Sequence, residues 1–96
     1  MYRDDALNIL RNYKDDHASE YGIISLGIFG SVARNEADEK SDVDVVVQIQ
    51  KPNLFILSRI RMELEELFHT HVDLVRFRDR MNGFLKSQIQ KDAVYV

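Results

Sequence analysis

Two aspartates at the start of an apolar segment are the residues of this sequence best suited to chemistry. Asp42 and Asp44 are separated by one residue and lead into a run of valines at 45–47. Residues two apart in a strand project from the same face, so the two carboxylates would lie together. Such a pair repels unless a cation lies between the charges. Mg²⁺ is the natural partner, because it prefers oxygen ligands and commonly binds one or two carboxylates plus substrate phosphates.

A third carboxylate, Asp73, lies inside the short apolar segment Val72-Asp73-Leu74-Val75. A charged side chain within a strand of this kind needs a partner. If this strand lies beside the one that carries Asp42 and Asp44, the three carboxylates can share a two-metal site. The alternative interpretations are a solvated loop-to-strand junction for the first two residues and an outward-facing edge strand for the third.

Gly30 and Ser31 form a second candidate site, where an apolar segment gives way to a polar turn. Glycine lets the backbone approach a ligand closely. Serine can cap a helix and offer its hydroxyl and nearby backbone N–H groups to phosphate. Arg34 follows four residues after Gly30 and is a candidate for contact with a triphosphate. The competing interpretations are a strand-ending turn capped by serine and an exposed arginine on a helical turn.

The two sites together follow the spacing Gly-Ser, ten residues, Asp-x-Asp. Four fixed positions at this spacing would arise by chance in roughly one chain of this length in a thousand. The segment from Gly30 to Asp44 resembles the minimal nucleotidyltransferases, the smallest members of the DNA polymerase β-like superfamily. The resemblance covers nearly the full chain, including the Val-Asp-Leu-Val strand, without a departure at the candidate catalytic positions.

The resemblance implies that the fold is a mixed sheet flanked by helices. It also implies a role for each candidate residue. Asp42 and Asp44 would bind two Mg²⁺ ions, while Asp73 would complete the metal site and help to activate the attacking hydroxyl. Gly30 and Ser31 would hold the phosphates of ATP. Bacterial members are commonly paired with a HEPN-domain toxin, an RNase encoded next door. Some of them act as antitoxins by transferring AMP from ATP to a tyrosine of that toxin.

Two other functions compete with an AMP-transferring antitoxin. One is a binding module that neutralises its toxin by contact alone; the intact carboxylates count against it, since they are costly to keep without a metal. The other is nucleotidyl transfer to a small molecule. A chain of 96 residues has no room for a further domain to close over such a substrate, so a partner chain would have to complete the pocket.

The spacing of apolar residues predicts the elements that position these sites. Helices are expected over residues 3–20, 54–69 and 80–92, with Gly22 ending the first and Asn53 capping the second. Buried strands are expected over 23–30, 43–49 and 72–75. Residues 31–41 form a short helical turn and a loop, and residues 93–96 either extend the last helix or pair as an edge. This order predicts an α/β (α+β) layer around a central sheet.

Composition and net charge indicate the number of domains and the kinds of partner that the protein can bind. The chain has 96 residues, 45% hydrophobic and 30% charged, which predicts a single globular domain over 1–96. Its net charge of −3 argues against direct nucleic-acid binding, although cations cluster at Arg76, Arg78 and Arg80, where they either face an acidic partner or are solvated. A homo- or hetero-oligomer with a protein partner is compatible with this composition.

Several absences exclude other classes of protein. The chain has no cysteine, which excludes disulfides, thiolate zinc sites and cysteine nucleophiles. No apolar run approaches the roughly 20 residues that span a bilayer, and the N-terminus lacks the apolar segment of a secretory signal. These features predict a cytoplasmic protein with no membrane partner. His17, His69 and His71 match no metal-ligand spacing and are interpreted as structural or surface residues.

Overall fold

A four-stranded mixed sheet with helices on both faces organises the protein, and the computed structural model describes all 96 residues. The elements in chain order are α1 (Arg3–Tyr21), β1 (Ile23–Phe29), α2 (Gly30–Ala33), β2 (Val43–Ile49), α3 (Leu54–Phe68), β3 (Val72–Arg76), α4 (Gly83–Asp92) and β4 (Val94–Tyr95). The strands are ordered β3-β2-β1-β4. This confirms the predicted fold class.

The strand directions bring three strand ends to one end of the sheet. β1 is antiparallel to β2, with Phe29 opposite Asp44. β2 is parallel to β3 across the helical connection through α3, with Asp44 opposite Asp73. The C-terminal end of β1 and the N-terminal ends of β2 and β3 therefore meet, and the candidate residues lie at this end.

The two faces of the sheet are covered by different helices. The main core packs α1 and α3 against the face that carries Val45 and Val47. A smaller cluster of Phe29, Val46 and Ile89 packs α4 against the opposite face. Successive residues of a strand alternate between faces, so Asp44 shares the α4 face with Val46.

Local sequence signals account for the helix ends. Asn53 Oδ1 accepts hydrogen bonds from the backbone N–H of Phe55 at 2.8 Å and of Ile56 at 3.3 Å, as an N-cap should. Gly22 ends α1 with φ 68°, a left-handed conformation that glycine adopts without steric cost. Both caps agree with the sequence predictions. No helix of the protein combines the length and the apolar character that crossing a membrane requires.

The structure corrects the predicted end of the first strand and the predicted start of the last helix, and it decides the conformation of the tail. The first strand ends at Phe29 rather than at 30, because Gly30 turns with φ 71° and begins α2. The last helix begins at Gly83 rather than at 80, because Asn82 Oδ1 caps it by accepting from the N–H of Leu85 at 3.0 Å. The tail pairs as the edge strand β4, which decides between the two alternatives. The helical turn predicted after the first strand is the short helix α2, which begins at Gly30.

Candidate active site

Asp44 and Asp73 occupy opposite positions on neighbouring parallel strands. Adjacent strands lie about 4.7–4.9 Å apart, and equal positions project from the same face, so both carboxylates face one side. The condition set by the sequence, that the strand of Asp73 lies beside that of Asp44, is therefore met. β3 is also an edge strand, and Asp73 is exposed. This carboxylate is thus accessible to a reacting group from solvent.

Asp42 lies two residues before Asp44, at the entry to β2, with a side chain that is 56% exposed. Its Oδ2 is 3.4 Å from Nδ1 of His71, and the N–H of Val43 donates to the carbonyl of His71 over 3.1 Å. His71 is 60% exposed, in agreement with its interpretation as a structural or surface residue, but the sequence did not predict this contact. The only signal for it was the position of His71, two residues before Asp73.

Burial and like charges act together on Asp44, which is half-buried. Burial raises the pKa of Asp44, and the negative charges of Asp73 and Asp42 raise it further, while Arg34 lowers it. The ionised form of Asp44 is therefore disfavoured by the protein alone. A divalent cation would favour the ionised carboxylate, because it places positive charge among the three aspartates.

Gly30 packs directly against the Asp44 carboxylate. A Cβ at position 30 would overlap Oδ2 of Asp44 and lie 3.2 Å from its Cγ. Gly30 also has φ 71°, in the region that side chains disfavour. Both constraints select glycine, and together they place the start of α2 against the carboxylate pair.

Ser31 is the second residue of α2, whose N-cap position is occupied by Phe29 without a side-chain hydrogen bond. The interpretation of Ser31 as a helix cap is therefore wrong. The carbonyl of Ser31 accepts from the N–H of Glu36 at 2.8 Å, which folds the following loop back onto α2. Ser31 thus lies in the turn that packs against the carboxylates.

Arg34 ends α2 and is engaged by two acidic residues. Its Nη1 donates to Oδ2 of Asp92 at 2.7 Å, and its Nε donates to Oε2 of Glu36 at 3.1 Å. The Arg34 side chain is 42% exposed. It is therefore more than the freely exposed arginine of the competing interpretation, and its charge acts on Asp44.

The donor set fits a hard cation, although no three His, Cys, Asp or Glu side chains converge tightly enough to form a ready-made metal site. Mutual repulsion keeps like-charged carboxylates apart when no cation is between them. Asp44 and the in-register Asp73 supply the one or two carboxylates with which Mg²⁺ commonly binds substrate phosphates.

Residues 10–96 match the sequence model of the nucleotidyltransferase domain. The chain belongs to this family. A Methanocaldococcus jannaschii protein, provisionally named a protein adenylyltransferase, is 36% identical over 90 residues, which cover 92% of this chain and 91% of that protein. The protein adenylyltransferase MntA of Thermococcus cleftensis is 34% identical over 90 residues, covering 93% and 90%. This nucleotidyltransferase is therefore a homologue of protein adenylyltransferases, as the resemblance predicted.

Solved structures share the fold. A structure provisionally named a minimal nucleotidyltransferase superposes with a TM-score of 0.78 at 30% identity, covering 98% of this chain and 95% of that one. A toxin-antitoxin structure with AMP-PNP gives 0.75 at 19% identity, covering 92% and 69%. A Shewanella oneidensis complex of a tri-AMPylated HEPN toxin with its MNT antitoxin gives 0.70 at 17% identity, covering 97% and 70%. At these lower identities the likeness concerns the fold.

Proposed function

We propose that this nucleotidyltransferase is an antitoxin that transfers AMP from ATP, with Mg²⁺, to a tyrosine of a HEPN-type RNase toxin encoded nearby. The observation that carries the proposal is the register of Asp44 opposite Asp73, with Gly30 packed against Asp44. It is supported by homologues named protein adenylyltransferases and by the AMPylated HEPN toxin bound to an antitoxin of the same fold.

Each residue of the site would have its own role in this reaction. Asp42, Asp44 and Asp73 would hold the metal, whose charge stabilises the transferring phosphoryl group and the departing pyrophosphate when it is bound. The turn at Gly30 and Ser31 would bind the nucleotide phosphates through closely approaching backbone. Arg34, at the end of the same turn, would contact the triphosphate.

The transfer itself replaces a phosphoanhydride bond of ATP by a phosphate ester bond to tyrosine. The tyrosine oxygen bonds to the α-phosphorus of ATP, the bond from that phosphorus to the bridging oxygen breaks, and pyrophosphate departs. Asp73 would accept the tyrosine proton, because it is the exposed carboxylate of the set and a side chain from another protein can reach it.

Surface features support a protein acceptor rather than a small one. The Asp42 side chain is 56% exposed, so the carboxylates lie at the surface. Leu54, Phe55 and Met62 of α3 are 81%, 86% and 60% exposed. Exposed apolar side chains on one helix mark a surface for protein association. Leu54 and Phe55 follow the C-terminal end of β2, so this surface begins at the end of the sheet opposite the carboxylates.

The test incubates the protein with its neighbouring gene product, ATP and Mg²⁺, and follows both chains by intact-mass spectrometry. The expected result is a gain of one or more AMP units on the partner, lost in Asp42→Asn and in Asp44→Asn. Asp79→Asn is the matched control, since Asp79 is exposed beyond the opposite end of β3.

Two other outcomes would favour a different function. A stable complex without mass gain would contradict AMP transfer to that partner and favour neutralisation by contact. A nucleotidylated small molecule formed without the partner would favour the small-molecule reaction instead.

A further inference from the structure

The ion pair between Arg34 and Asp92 joins residues 58 positions apart in the chain. Nη1 of Arg34 lies 2.7 Å from Oδ2 of Asp92, whose side chain is only 12% exposed. The second partner, Glu36, is 66% exposed and 3.1 Å from Nε. Solvent and salt screen a buried charge less than an exposed one. Asp92 is therefore the partner that sets the direction of the guanidinium.

Asp92 is held on both sides by ordered structure. It is the last residue of α4, and the N–H of Ala93 donates to the carbonyl of Ile89 at 2.8 Å. Ile89 is fully buried in the smaller core cluster. Two residues after Asp92, Val94 pairs with Ile28 of β1. The carboxylate is therefore attached to the sheet and to the core, which makes it a rigid support for a neighbouring side chain.

Arg34 is also the residue that ends the helical turn beginning at Gly30. Its backbone N–H donates to the carbonyl of Gly30 at 3.1 Å. α2 has four residues, too few for a helix to be stable on its own. The placement of this turn therefore depends on contacts such as the one from Arg34 to Asp92. Arg34 is thereby connected to the carboxylate site, since the Gly30 to which it donates packs against the Asp44 carboxylate.

We propose that Asp92 is a positioning residue that holds Arg34 with its remaining N–H groups directed at the phosphates of a nucleotide bound at the Gly30 turn. A guanidinium carries five N–H donors, and two of them are used by Asp92 and Glu36. The other donors can form the paired hydrogen bonds that phosphate accepts. The inference rests on the proposed nucleotidyl transfer, because it presumes a nucleotide at this turn.

The test measures the dissociation constant of Mg²⁺-ATP by calorimetry, together with KM for ATP and kcat in the AMP transfer assay. Asp92→Asn should raise the dissociation constant and KM about tenfold, the value of a lost charge-assisted hydrogen bond, with a smaller change in kcat. Asp92→Glu, which keeps the charge, should recover part of the affinity. Glu36→Gln is the matched control at the exposed partner and should stay within about twofold of the wild type.

A double-mutant cycle separates positioning from a general structural effect. Because Asp92 acts through Arg34, adding Asp92→Asn to Arg34→Ala should weaken ATP binding no further. Additive effects, or an Asp92→Asn variant with a lower Tm but unchanged ATP affinity, would overturn the proposal. Should Asp92→Asn not fold, the same cycle is run with Asp92→Glu and Arg34→Lys.

Measurements on the wild-type protein distinguish a failure of the role of Asp92 from a failure of the proposed nucleotidyl transfer. A wild type that binds no ATP and modifies no partner would contradict nucleotidyl transfer itself. A wild type that binds ATP and transfers AMP, beside an Asp92→Asn variant with the same constants, would overturn only the role of Asp92.

Discussion

Gly30 and Asp44 are in such close contact that a side chain at position 30 would overlap the Asp44 carboxylate. Position 30 is the start of α2, and Asp44 is the second residue of β2. The contact therefore couples the proposed nucleotide-binding turn to the carboxylates in a single rigid arrangement. A shift of one would be transmitted to the other.

Gly30→Ala tests this contact. The substitution forces a side chain into φ 71° and against Asp44, so we expect a loss of about 1–3 kcal/mol in the free energy of unfolding. Displacement of the turn by about 1 Å should lower AMP transfer about a hundredfold. Urea denaturation and the transfer assay measure the two effects.

Gly83→Ala is the matched control, because a Cβ at Gly83 meets no atom within 4 Å. Gly83 is the first residue of α4, where alanine restricts the unfolded chain without strain. We expect unchanged transfer activity and a stability within about 1 kcal/mol of the wild type, on the stabilising side. Equal losses in both variants would contradict the importance of the Gly30 contact.

Mg²⁺ and a non-hydrolysable ATP analogue should stabilise the wild type. A ligand at a hundred times its dissociation constant raises the free energy of unfolding by about 2.7 kcal/mol, which thermal denaturation detects as a higher Tm. Asp44→Asn should be more stable than the wild type without ligand, because it removes a half-buried charge that faces Asp73 and Asp42. It should lose the increase in Tm on adding ligand, whereas Asp79→Asn should keep it. A full ligand-induced increase in Asp44→Asn would argue against metal binding at this residue.

Asp73→Asn should separate catalysis from nucleotide binding. Asp73 is exposed on the edge strand, where its proposed role is to accept the proton of the attacking hydroxyl. Loss of a general base lowers kcat by about 10²–10⁴, while the affinity for ATP, measured by calorimetry, should change less than kcat, because Asp42 and Asp44 remain to hold the metal. Parallel losses of kcat and affinity would assign Asp73 to nucleotide binding instead.

Two buried tyrosines predict a loss of stability at alkaline pH. The hydroxyls of Tyr13 and Tyr21 donate to the same Oε1 of Glu63 at 2.8 and 2.9 Å. Burial, then this hydrogen bond, raises the pKa of Tyr21 to about 12, and the pKa of Tyr13 shifts in the same direction. The folded state thus keeps protons that the unfolded chain loses near pH 10. Stability from these groups is complete below pH 10 and falls as the pH rises towards 12.

Tyr21→Phe should therefore reduce the steepness of this alkaline decline, at the cost of about 1 kcal/mol at neutral pH for the lost hydrogen bond. Urea denaturation at pH values from 8 to 11.5 measures both effects. Tyr2→Phe, at a residue that is 73% exposed, is the control and should leave the profile unchanged. An identical slope in Tyr21→Phe and wild type would contradict the role of the Glu63 contact.

Local patterns predicted the strands and most helices, since side-chain alternation and capping depend on neighbouring residues. The β-branched run marked β2 with its observed bounds, and Asn53 marked the start of α3. The short β4 was undecided, because two residues carry no periodicity and their conformation depends on pairing with Gly27 and Ile28 of β1.

The six candidate residues, and the spacing that groups four of them, could be identified before any fold was known, because a turn and a strand entry are local features. Their mutual contacts could not. Asp73 lies opposite Asp44 because of the register between β2 and β3. Arg34 contacts Asp92 because α4 packs back across the sheet. Such contacts join residues far apart in the chain, so they are set by the packing of whole elements and leave no pattern in the local sequence.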